Sequence, residues 1–224
     1  ALINTHLEIP EIRQVLVDDA IEKGDFPKAT KLVEGGIQIA KSKNRAGTIR
    51  QWEEVLLRIA VAQKDIPTIR SLNKRFAFER GFDLQSYERW KNSYPPSEWP
   101  AVIEAHIKAI SEAIETKPRE HQWDTIAYER YRKLAPIFIQ EKDWEALLHA
   151  IPPDPDLNIL SNVHPYLAQR YPEALLKHYL PALEESGNQV SNRKEYRDLA
   201  KLLLKVKADI VNSQQTIEEL ASRL

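Results

Sequence analysis

Gly24-Asp25-Phe26-Pro27-Lys28-Ala29 returns as Lys64-Asp65-Ile66-Pro67-Thr68-Ile69 and again as Lys142-Asp143-Trp144-Glu145-Ala146-Leu147. Each copy has a small polar turn, then a large side chain, then a smaller apolar residue three positions on. Between two antiparallel helices that order has a mechanical sense. The turn reverses the chain, the large residue wedges into the pair, and the smaller one lets the helices approach. Weaker copies are Ser97-Glu98-Trp99-Pro100-Ala101-Val102, Arg170-Tyr171-Pro172-Glu173-Ala174 and Lys194-Glu195-Tyr196-Arg197-Asp198-Leu199. The anchors Phe26, Ile66, Trp99, Trp144, Tyr171 and Tyr196 stand 40, 33, 45, 27 and 25 residues apart, too uneven for a uniform array. The pattern predicts an all-α chain built as an irregular stack of antiparallel helix pairs, of the α-solenoid or tetratricopeptide-like kind.

Outward from these turns, apolar residues recur at three- and four-residue spacing, the period of a helix with one buried face. Ile12, Val15, Leu16, Ala20 and Ile21 share one such face, and Trp52, Val55, Leu56, Ile59 and Ala60 another. Pro27 and Pro67 suit the first turn of a helix, where a missing N–H leaves nothing unsatisfied. Six glycines in 224 residues supply few hairpin turns, which argues against an all-β fold. The run Pro152-Pro153-Asp154-Pro155 is the least helical stretch and reads as a hinge. It separates an N-terminal array, residues 1–151, from a C-terminal segment, residues 156–224, that continues the same domain.

Several of these segments together resemble the C-terminal region of bacterial SWIM zinc finger family proteins. They are Lys23-Gly24-Asp25-Phe26-Pro27-Lys28-Ala29, Arg50-Gln51-Trp52-Glu53-Glu54-Val55-Leu56-Leu57, Glu98-Trp99-Pro100, Glu141-Lys142-Asp143-Trp144-Glu145-Ala146-Leu147 and Arg170-Tyr171-Pro172-Glu173-Ala174-Leu175-Leu176. The sharpest is Asn192-Arg193-Lys194-Glu195-Tyr196-Arg197-Asp198-Leu199-Ala200-Lys201-Leu202-Leu203. The resemblance runs from about residue 20 to the end. It implies a helical-repeat tail of a larger protein, with no catalytic residues to inherit. The family's zinc module needs cysteine, which this chain lacks, so the module and its function do not carry over.

Composition narrows the chemistry further. With 32 basic and 33 acidic residues the chain carries a net charge of −1, so nothing draws it as a whole to nucleic acid or an anionic membrane. The absence of cysteine excludes disulfides, thiolate zinc sites and a cysteine nucleophile, and suits a reducing, cytoplasmic setting. No apolar run is long enough to span a bilayer. Glu120-His121 with Asp124 is the nearest approach to a metal site and reads as a solvated helix start. There is no HExxH, no GxSxG and no glycine-rich phosphate loop; Gly35-Gly36 lies inside a helical pattern. Glu53-Glu54, Glu184-Glu185 and Glu218-Glu219 read as solvated helix faces. The expectation is a protein that is not an enzyme and holds no metal or cofactor.

Two features stand out as binding candidates. Trp90, Trp123 and Tyr128 are aromatic residues that match no repeat anchor, and aromatic side chains are enriched at interface hot spots. Arg193, Arg197, Lys201 and Lys205 follow at four-residue steps along one helix face, as a stripe for phosphates or an acidic partner. The reading is a helical-repeat interaction module for a protein or peptide partner, with no membrane role. Its alternatives are a nucleic-acid-binding accessory using the basic helix 193–207 and an all-α enzyme with no recognisable motif.

Overall fold

The computed structural model describes residues 7–116 and 126–223. Among these residues the chain is all-α, with twelve helices and no strand. The division into compact units falls at Val102 and Ile103, not at the proline run. That run lies inside the second unit, where Ile151, Pro152 and Pro155 are buried and Asp156 accepts a hydrogen bond from the Ile159 N–H at 2.7 Å to cap the next helix. Buried and capped, it is a packed corner and not a hinge.

The first unit holds α1 (Pro10–Glu22), α2 (Phe26–Ser42), α3 (Ala46–Gln63), α4 (Ile66–Phe78), α5 (Leu84–Asn92) and the start of α6 (Trp99–Thr116). Consecutive helices from α1 to α5 lie against one another. One core cluster joins Val17 and Ala20 of α1, Ala29, Val33 and Ile37 of α2, and Trp52, Val55 and Ile59 of α3. The Trp52 indole lies so close to α2 that a Cβ on Gly36 would stand 2.7 Å from it. Gly36 therefore serves close helix packing, a role its neighbour shares: a Cβ on Gly35 would stand 2.7 Å from the buried Arg13 guanidinium. That guanidinium donates to the carbonyls of Leu7 and Leu32.

The second unit holds the rest of α6, then α7 (Ile126–Glu141), α8 (Trp144–His149), α9 (Leu157–Leu167), α10 (Pro172–Gln189), α11 (Arg193–Asp209) and α12 (Gln214–Arg223). From α7 onward each helix touches the next, and α12 also touches α10. Leu147, Leu160, Val163, Leu167, Leu175 and Leu183 are fully buried there.

The recurring turn has a definite backbone. Gly24, Lys64 and Lys142 adopt left-handed φ values of 71°, 56° and 57°. The N–H of the aspartate that follows returns to a carbonyl five residues back: Asp25 to Ala20, Asp65 to Ala60 and Asp143 to Phe138, at 2.8 to 2.9 Å. This closes one helix by the Schellman pattern. The same aspartates cap the next helix, accepting from the N–H groups of Lys28, Thr68 and Ala146 at 3.2, 3.3 and 3.0 Å. One residue thus ends one helix and starts another. Asn44-Arg45 makes the same closure without a carboxylate cap.

The anchor residues differ in burial. Trp99 is buried, Phe26 packs half-buried on the first core, and Trp144 stacks on Tyr166 with ring centroids 5.4 Å apart. Tyr171 is half-buried just before α10. Ile66 and Tyr196 are 41% and 52% exposed and wedge nothing. The first helical position after a turn looks partly outward, while the residue three further on looks in: Ala29 and Leu147 have no exposed surface. Tyr196 is out of phase altogether, because α11 is capped by Asn192 and Tyr196 already sits in its first turn.

Candidate functional site

In the first unit α3, α4 and α5 leave an open cleft of about 1250 Å³, with Gln14 of α1 at its margin. Val55, Leu57, Ile69 and Phe76 give it apolar walls, and the exposed side chains of Val61 and Ile66 extend them outward. Arg50 lies with its guanidinium carbon 3.4 Å from the Phe76 ring centroid and its Nε bonded to Glu54 at 3.0 Å. The position of the ring thus fixes the position of the charge. Asp83 caps α5 by accepting from the Ser86 N–H at 2.7 Å. Hydrogen bonds from the Ser86 side chain and backbone hold its carboxyl below the ordinary range, helped by the charges of Arg50 and Arg89. Arg89 lines the same cleft and makes no ion pair among the described residues.

Asn73 is the unusual member of this lining. It is 2% exposed, and its Nδ2 donates to the Ile69 carbonyl at 2.9 Å. A carbonyl only accepts, so this bond fixes the amide orientation and leaves Oδ1 as the other atom. No donor among the described residues reaches that buried Oδ1. A buried acceptor without a partner costs about 1–3 kcal/mol, so its presence in a cleft wall calls for a reason.

In the second unit a polar chain runs across three helices from the core to the surface, ending at the exposed Asp209. Tyr179 of α10 places its hydroxyl 3.1 Å from Nδ1 of His164 on α9, whose Nε2 stands 2.9 Å from Oδ2 of Asp209 on α11. A carboxylate only accepts, so in the neutral ring Nε2 carries the hydrogen and Nδ1 accepts from the phenol. Burial pushes the Tyr179 hydroxyl well above its ordinary value, against the opposing effect of a hydrogen bond with Ser161. Each of the four groups already has a partner within the chain.

The sites expected from sequence separate sharply. Trp90 is 1% exposed and sits among Phe78, Tyr87, Tyr94 and Trp99, with the Trp99 ring 4.8 Å away, edge to face. It is a core residue, which corrects its reading as a candidate for a partner groove. Trp123 lies outside the described residues, as do Glu120, His121 and Asp124. Tyr128 is at the surface, but its hydroxyl donates to the Asp154 carbonyl and braces α7 against the proline corner. Glu53 is not solvated: it is 5% exposed and meets Arg75 at 2.6 Å. Arg193, Arg197, Lys201 and Lys205 are all exposed on α11. Sequence reasoning missed Asn73, His164 and Asp209.

Among the described residues no three metal-ligating side chains converge, and no helix is long and apolar enough to cross a membrane. Compared with known proteins, the chain matches no family model, no curated protein and no solved structure.

Proposed function

We propose that this chain is a non-catalytic helical-repeat interaction module whose first unit takes a peptide segment of a protein partner in the α3–α5 cleft. The observation that carries this reading is an open cleft with apolar walls whose lining includes Asn73, a residue whose buried Oδ1 no described donor satisfies and which a small rotation of the side chain would offer to a ligand. An extended peptide offers both things the cleft lacks, an apolar side chain for its walls and a backbone N–H for the acceptor. A helical ligand offers few free N–H groups, so the ligand is extended. The resemblance to the SWIM family's helical tail fits an accessory role of this kind. An enzyme reading draws its best support from Tyr179, His164 and Asp209, but they are satisfied by one another and the phenol is fully buried.

Selection from a displayed library of random short peptides tests the proposal. Peptides recovered on the intact chain should share an apolar residue and lose about tenfold in affinity on Ile66→Arg, the cost of blocking one apolar contact. Ile66 is already exposed, so this change leaves the fold intact. Failure to recover any peptide, or recovered peptides that ignore Ile66→Arg, rejects it.

A further inference from the structure

The basic face of α11 lies in the second unit and is independent of the cleft. The helix buries Leu199 and Val206, with Ile210 buried just after its end, so its opposite side faces solvent. Arg193, Arg197, Lys201 and Lys205 run along that side at four-residue steps, over roughly 18 Å of helix. Leu204 follows Arg197 by seven residues and Lys201 by three, which places it in the same stripe. It is 66% exposed, the most exposed large hydrophobic side chain among the described residues.

Two of the three acidic residues of α11 are engaged off the stripe. Glu195 accepts from the backbone and hydroxyl of Ser191, and Asp209 holds His164. Asp198 reaches Lys201 only at 3.9 Å. On the neighbouring α12, Glu218 pairs with Lys207, which lies off the stripe. Arg193, Arg197 and Lys205 make no ion pair among the described residues. Three cations without an ion pair among the described residues, and Lys201 with one long pair to Asp198, therefore share one helix face with an exposed leucine.

We infer that this face docks an acidic polypeptide segment that brings carboxylates at about 6 Å spacing, the pitch of the stripe, together with one apolar side chain to cover Leu204. A phosphate backbone satisfies the cations but offers nothing to the leucine. A membrane surface needs a broad apolar face, and the apolar face of α11 is buried within its own unit. An acidic, leucine-bearing segment answers both features together.

The test uses four probes on the intact chain at low and moderate salt: a labelled short peptide of regularly spaced glutamates around one leucine, the same peptide with serine for that leucine, a short DNA duplex, and phosphatidylserine vesicles. The leucine peptide should bind, more weakly at moderate salt. Arg197→Glu should weaken it by about tenfold, from one lost ion pair and one new repulsion. Leu204→Ser in the protein and the serine peptide should each cost about fivefold, the value of one partly buried leucine. Ile66→Arg should leave this binding unchanged, so failure here and failure at the cleft are distinguishable. Equal affinity for the two peptides, tighter binding to DNA or vesicles, or no peptide binding at low salt each overturns the inference.

Discussion

The two units treat a buried polar side chain in opposite ways. In the second, His164 is 2% exposed and both ring nitrogens have partners, Tyr179 on one side and Asp209 on the other. In the first, Asn73 is equally buried and lines an open cleft, but its carbonyl oxygen has no donor among the described residues. A satisfied buried group specifies packing. An unsatisfied one weakens the fold and calls for a reason, such as an ordered water or a partner's donor. On that contrast the second unit's polar chain is a structural brace, and the first unit's asparagine is the residue on which the proposed peptide site rests.

The same substitution by leucine should therefore act with opposite sign in the two units. His164→Leu removes the acceptor of the fully buried Tyr179 hydroxyl and should cost about 2 kcal/mol in urea unfolding. Asn73→Leu is nearly isosteric and removes the orphan, so it should stabilise by about 1 kcal/mol and raise Tm by roughly 2–4 °C. If both substitutions destabilise equally, the contrast fails.

The turns supply a control in which the units should agree. Lys64 in the first and Lys142 in the second hold left-handed backbones that disfavour any side chain. Lys64→Gly and Lys142→Gly should each stabilise by about 0.5–1 kcal/mol, measured as separate melts. A gain at one turn only would show that the shared motif hides different geometry.

Acid gives the smallest expected effect, again one group per unit. Asp83 is held below its ordinary value of 3.8 by hydrogen bonds from Ser86, and Glu195 below its ordinary 4.5 by those from Ser191 and Asn192. A carboxyl with a depressed folded pKa contributes stability that is fully present above the unfolded value and lost as pH falls through the folded one. Melts between pH 5 and pH 3, a window on the order of those values, should decline gently. Asp83→Asn and Glu195→Gln should each flatten that decline.

The local parts of this architecture were legible in the sequence. The turn motif shows because a left-handed residue and an aspartate cap are adjacent, so one short string encodes both the end and the start of a helix. The α11 stripe shows because four-residue steps need only one helix. Phase was harder. Ile66 and Tyr196 match the motif as letters but point outward, since burial depends on which neighbour each helix meets. Trp90 resembles a binding aromatic until Phe78, Tyr87 and Trp99 are placed around it. His164 and Asp209 are 45 residues apart, with no spacing signal to link them. Asn73 could not be found at all from its sequence context, because the absence of a partner exists only in three dimensions.

The decisive measurement is the affinity of a peptide selected on the intact chain for the Asn73→Leu protein, determined by titration calorimetry beside a thermal melt of both proteins. The expected result is a more stable protein that binds the peptide about tenfold or more weakly, the loss of one buried hydrogen bond. A stabilised protein with unchanged affinity would contradict the assignment of Asn73 as the acceptor for a partner.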